Sequence, residues 1–124
     1  MFRRFNPNSC GAYVDDCSVR AICAACDLTW DSAYNILCDK GFYMCNMPSS
    51  KAVVHAVLRS LGFHQFALPN DIPDKYTLID FCLDHPRGTF IVALDNHIVT
   101  VINGEYYDAW NSGDEYPLYY FYKE

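Results

Sequence analysis

The sequence predicts an α+β domain in which N-terminal helices pack against a C-terminal antiparallel β-sheet. Three observations carry that expectation. Apolar residues recur at helical spacing between Cys17 and Gly62, the pattern changes to strand-like runs from Thr89 onward, and Asn103-Gly104 joins two of those runs. Asn-Gly between apolar runs is the strongest short-range hairpin signal, because both residues tolerate the positive φ of a two-residue turn. At 124 residues, 52% of them hydrophobic, the chain reads as a single domain over 1–124, long enough to bury a core without staples.

Taken in order, residues 1–16 carry Asn6-Pro7-Asn8, Ser9, Gly11 and Asp15-Asp16, the chemistry of an irregular opening segment. A first helix is expected from Cys17 to Cys26 or Asp27, burying Val19, Ile22, Cys23 and Cys26 on one face. Thr29 is placed to cap a second helix, Trp30 to Asp39, with Ala33, Tyr34, Leu37 and Cys38 inward and Gly41 stopping it. A third begins at Pro48-Ser49-Ser50, sets Val53, Val54, Val57, Leu58 and Leu61 on one face, and ends at Gly62. Phe63 to Leu68 reads as a short strand, and Thr77 as the cap of a short helix, Leu78 to Asp84. Strands are then expected over Thr89 to Leu94, His97 to Ile102, Glu105 to Trp110 and Leu118 to Tyr122.

Charge and composition narrow the function. A net charge of −6 with only nine scattered Lys and Arg argues against nucleic acid as a partner. No apolar run approaches the ~18 residues of a membrane span, and the basic N-terminus has no apolar segment behind it to make a signal peptide. A cytoplasmic protein with no membrane partner is expected; oligomeric state is not readable. The seven cysteines are odd in number, so reduced thiols, most of them core filler, are the default.

One cysteine stands apart. Cys17 follows two turn-forming aspartates and opens a helix, where unpaired N–H groups and a partial positive charge favour thiolate. The hairpin supplies partners. With Asn103-Gly104 at the corner, Ile102 faces Glu105, Thr100 faces Tyr107, Val99 faces Asp108 and His97 faces Trp110. His97, Val99, Asp108 and Trp110 then share one face, and Asp108 lies diagonally from His97 at ~7–8 Å between backbones. A carboxylate on one imidazole nitrogen fixes the tautomer and raises the basicity of the other. Cys17 as nucleophile, His97 as base and Asp108 as orienter make a triad.

The segments Asp15-Asp16-Cys17-Ser18-Val19-Arg20-Ala21, Asp95-Asn96-His97-Ile98-Val99-Thr100-Val101 and Gly104-Glu105-Tyr106-Tyr107-Asp108-Ala109-Trp110 together resemble the papain-like cysteine peptidases. The likeness is to compact bacterial and phage-borne members and covers roughly residues 8–122. It implies a papain-like fold and a thiol hydrolase cleaving a peptide or isopeptide amide in a peptide or protein substrate through a thioester, with no cofactor and no metal. Such enzymes usually carry a side-chain donor, often Gln, six residues before the cysteine to complete the oxyanion hole. Gly11 stands there instead, so the second donor is expected from Asn8, with Tyr13 as the fallback. Asp16, Asn96, Trp110 and the Asn111–Asp114 loop are expected to border the substrate cleft.

Rival readings follow from the same residues. Cys17 read as a core thiol gives no enzyme. The Gly11 departure suits a non-catalytic peptide-binding module on the same fold, and the triad equally suits a thiol acyltransferase or deamidase. Cys23-Ala24-Ala25-Cys26 has metal-like spacing but falls on the apolar helix face, so a zinc-stabilised domain is the weaker reading. His55, His64 and His85 lack partners at diagnostic spacing and read as structural or solvated.

Overall fold

The computed structural model describes residues 1–123. Its elements are β1 (Phe2–Arg4), α1 (Cys17–Cys26), α2 (Trp30–Tyr43), α3 (Lys51–Ser60), β2 (His64–Ala67), α4 (Leu78–Asp84), β3 (Thr89–Leu94), β4 (His97–Ile102), β5 (Glu105–Asp108) and β6 (Tyr119–Tyr122). The class is α+β, and the strands form one sheet in the order β1-β5-β4-β3-β6-β2. Among the described residues no helix is long and apolar enough to cross a membrane.

α2, α3 and α4 start at a capping side chain, whereas Asp16 makes no cap hydrogen bond at the start of α1. The side chains of Thr29 and Ser50 accept from the backbone N–H groups of Ser32 and Val53. Thr77 and Asp80 cap α4 reciprocally, each side chain accepting from the other's backbone N–H. Asp27 ends α1 in the left-handed conformation at φ 54°, its N–H returned to the Cys23 carbonyl.

The expected end of the second helix is corrected. Gly41 does not stop α2, which runs on to Tyr43. A Cβ at Gly41 would lie 2.8 Å from the Asn46 carbonyl oxygen, so glycine is required there for close backbone approach after the helix. Tyr34 points outward and stacks on Trp30 at 4.9 Å between centroids.

The central strands β3 and β4 are buried on both faces. Val19, Ile22 and Cys23 of α1 meet Ala33 and Leu37 of α2, the valines of α3, and Ile91 and Phe121 from the sheet. On the opposite face Leu78, Phe81 and Cys82 of α4 pack on Phe90, Val92, Leu94, Val99, Val101 and Tyr106. Alternation along β3 explains the division, since Ile91 faces one way and its neighbours Phe90 and Val92 the other. The Thr100 hydroxyl donates to the Ala21 carbonyl at 2.7 Å, fixing α1 over β4.

Two expectations about the sheet need correcting. Residues 1–16 are not wholly irregular, because Phe2–Arg4 forms β1, pairing Phe2 with Tyr106, Arg3 with Tyr107 and Arg4 with Asp108. That pairing is parallel, so the sheet is mixed rather than antiparallel throughout. The hairpin register is as expected, with Ile102 opposite Glu105 and Thr100 opposite Tyr107, and its turn places Asn103 and Gly104 at φ 50° and 79°. The β4–β5 ladder stops at that last pair and β5 ends at Asp108, so His97 and Trp110 are not cross-strand partners.

Candidate active site

Cys17 is the first residue of α1, and the tie between Thr100 and Ala21 lays that helix along β4. His97 opens β4 from the tight Asp95-Asn96 turn, in which Asn96 takes φ 52°, a conformation asparagine tolerates better than most residues. Asp108 closes β5, its backbone held by Arg4 through β1 and by the Phe5 N–H, which donates to the Asp108 carbonyl at 2.8 Å. Three element ends therefore converge on one spot.

The His97–Asp108 contact is direct. His97 Nε2 lies 2.7 Å from Asp108 Oδ2, closer than strand spacing alone implies, and both side chains are buried. The same oxygen accepts from the Ser112 hydroxyl at 2.6 Å, and Oδ1 accepts from the Ala109 N–H at 2.8 Å. With Nε2 committed to the carboxylate, Nδ1 is the nitrogen that can serve the thiol. Cys17 and His97 line the same cleft of about 290 Å³.

The electrostatics separate Cys17 from its neighbours. Burial alone would raise its pKa. Hydrogen bonding with His97, the Ile98 backbone N–H, and the charges of His97 and Arg20 outweigh burial and bring the thiol below its ordinary value. Cys23 and Cys82, by contrast, are pushed up to about 11, first by burial. Burial works against a charged His97, but bonding to Asp108 and Cys17 raises it to about 9. Asp108 is buried too, yet His97 and Ser112 hold its carboxyl below the usual carboxylate range. The three shifts run toward thiolate, imidazolium and carboxylate.

Trp110 covers this cluster from outside. Its ring lies over His97 at 4.5 Å between centroids, tilted by 30°, and the Arg20 guanidinium sits 5.3 Å from its centroid. Arg20 itself was not singled out from sequence. It lies inside the apolar face of α1, only 2% exposed, with Nη1 2.5 Å from Asp16 Oδ1 and Nη2 3.1 Å from Asp108 Oδ1. The available signal was Asp16 followed four residues later by Arg20, a spacing that places both on one side of a helix start.

The surrounding expectations divide. Asn96 lines the cleft with Cys17, beside Asp15, Ser18, Lys51 and His55. Asp16 does not. It is buried, its carboxylate turned inward to Arg20 and to the Trp30 indole N–H at 2.8 Å, because a buried carboxylate needs donors. Asn8 and Tyr13 are likewise not among the cleft-lining residues. The Asn8 side-chain oxygen accepts from the N–H groups of Cys10 and Ala12, closing its own loop, and Tyr13 is 67% exposed with its ring in solvent. Trp110 shields His97 rather than lining the cleft, and the Asn111–Asp114 loop props Asp108 through Ser112.

His55 has a partner after all, with Nε2 3.0 Å from the Tyr119 hydroxyl at the far end of the cleft. Burial and the nearby charges of Arg59 and Lys51 lower its pKa. Among the described residues no group of three or more His, Cys, Asp or Glu side chains is placed to hold a metal ion. Comparison with known protein families, curated proteins and solved structures finds no match for this chain.

Proposed function

We propose that this chain is a papain-like thiol hydrolase that cleaves a peptide or isopeptide amide. Cys17 is the nucleophile, His97 the general base and acid, and Asp108 the orienter. The observation that carries the reading is the contrast between half-buried Cys17 and the buried thiols. Cys17 is shifted toward thiolate beside a histidine locked to a buried carboxylate, while Cys23 and Cys82 are shifted away from it.

The chemistry follows from that pairing. The Cys17 thiolate attacks the substrate carbonyl carbon, forming a C–S bond and a tetrahedral oxyanion that the Cys17 backbone N–H at the start of α1 can meet. His97, as imidazolium, gives its proton to the departing amine as the C–N bond breaks, leaving a thioester. Neutral His97 then takes a proton from water as the water oxygen attacks the thioester, and the C–S bond breaks to release the carboxylic acid and restore the thiolate–imidazolium pair. Asp108 keeps Nε2 bonded so that Nδ1 stays turned to the thiol through both steps.

A second reading keeps the fold and cleft but makes it a peptide-binding module. The observation favouring it is that Asn8, its side chain turned to its own loop, does not line the cleft and so presents no amide N–H to an oxyanion there. An acyltransferase or deamidase shares the thioester and differs only in the acceptor or the amide attacked.

Iodoacetamide labelling near pH ~6 with peptide mapping tests the enzyme reading, since only a thiolate alkylates rapidly there. Cys17 is expected to label ahead of the other six cysteines, and His97→Ala to abolish that preference. The same variant should lower turnover of a cleaved peptide by about 10²–10⁴-fold. Uniform slow labelling of all seven cysteines would sink the proposal. Selective labelling without cleavage of any peptide or isopeptide in a substrate library favours the binding module.

A further inference from the structure

We infer that Arg20 is a positioning residue of this site: anchored by Asp16, its guanidinium holds the Asp108 carboxylate toward His97 and keeps a fixed positive charge beside the Cys17 thiol. The inference rests on the thiol-hydrolase reading and extends it to a residue three positions along α1 from the nucleophile.

An arginine on a helix ordinarily lets its charged head reach water. Arg20 does not. It is flanked by Val19, Ala21, Ile22 and Cys23, all buried, and is itself 2% exposed. Its charge is matched on two sides, by Asp16 at 2.5 Å and Asp108 at 3.1 Å. Asp16 is in turn fixed by the Trp30 indole, so the anchor does not swing. The contact with Asp108 differs in kind, because Nη2 is close but makes no aligned hydrogen bond. Arg20 therefore acts on Asp108 through charge, while the directional bonds to that carboxylate come from His97, Ser112 and Ala109.

The charge inventory shows why this matters. Around the thiol and its base stand Asp15 from the segment before α1, Arg20 from α1, His97 from β4 and Asp108 from β5, while Asp16 is turned inward onto Arg20 and Trp30. Lys51 and His55 of α3 stand across the cleft. Without Arg20, Asp16 keeps only the Trp30 N–H and Asp108 keeps only His97 as a charged partner, so two buried carboxylates lose the cation they share. The thiolate also loses a cation that lies one helical turn along α1 from it. Lys keeps the charge but cannot span two carboxylates as a planar guanidinium does.

The test is the pH dependence of Cys17 alkylation by iodoacetamide, measured by peptide mapping on the full chain from about pH 4 to pH 10. Arg20→Met is expected to keep Cys17 the most reactive thiol while moving its ionisation midpoint up by about one pH unit. Below the wild-type midpoint that is roughly tenfold less thiolate. Arg20→Lys, which keeps the charge, is expected to move the midpoint in the same direction by less than Arg20→Met does. A folded Arg20→Met with the wild-type midpoint overturns the inference, because a merely structural ion pair leaves the thiol alone. If Arg20→Met does not fold, the neutral polar variant Arg20→Gln decides: a raised midpoint supports the role and a wild-type midpoint overturns it. Loss of Cys17 selectivity in the wild-type chain is a separate result, which defeats the thiol-hydrolase reading itself.

Discussion

Strand β5 is four residues long and carries an ion pair at each end. At its start Glu105 meets Arg3 through two hydrogen bonds, 2.9 and 2.7 Å, with side chains 30% and 59% exposed. At its end Asp108 lies 3.1 Å from Arg20, with exposures of 0% and 3% and no aligned hydrogen bond between them. By geometry the first pair is the better. By consequence it is the lesser, because water solvates both partners and screens their attraction. The buried pair has no such alternative, so each charge depends on the others being present. The site's electrostatics come from exclusion of water, to which Trp110 contributes, more than from the quality of any single contact.

Removing Asp108 should break this contrast most severely. Asp108→Ala leaves Arg20 half-compensated and His97 without its orienter, and is expected to cost about 3–5 kcal/mol in urea unfolding. A loss indistinguishable from an ordinary surface substitution would mean that the buried cluster is not desolvated as described.

Acidity offers a subtler probe. His97 is raised from 6.5 to about 9, so its contribution to stability is full below about 6.5 and is lost as pH rises through about 9. Asp108 is depressed, so its contribution is present above its ordinary 3.8 and is lost as pH falls below that value. Urea midpoints measured across pH should therefore show a plateau in the acidic-to-neutral range and a decline on the alkaline side, and His97→Ala should flatten that decline. Turnover should fall over the same alkaline interval as the imidazolium loses the proton destined for the leaving amine. A wild-type curve unchanged through pH 9 would place the proton elsewhere.

The smallest effect belongs to the other end of the strand. Glu105→Gln should leave the thermal midpoint and the alkaline decline as they are, despite removing a two-bond ion pair. A clear destabilisation would show that β1 needs that pair to stay docked.

Much of this arrangement is legible in the sequence wherever local chemistry decides. Thr29, Ser50 and Thr77 announce helix starts because their side chains satisfy backbone N–H groups within three residues. Asn103-Gly104 sets the hairpin register, and the register brings His97 and Asp108 together. What stays hidden depends on distant parts of the chain. β1 has only three residues, too few for a period, and its partner lies about a hundred positions away. Gly41 looks like a helix stop because its Cβ would strike backbone beyond the helix, a contact that spacing cannot reveal. Asp16 and Arg20 look like solvated charges until β5 closes over them.

The parallel strand at the N-terminus also sets an order of events during synthesis. Arg4 Nη1 donates to the Ala109 carbonyl at 2.7 Å and the Phe5 N–H to Asp108, so the carboxylate end of the site is clasped by residues from the opposite end of the chain. A ribosome releases Cys17 long before His97 and Asp108 exist, and the intervening loop must close before any of the three can interact. Until then the thiol has neither a base nor a buried cation beside it. The nascent chain therefore carries an ordinary cysteine, and the setting proposed to activate it arrives together with the clasp.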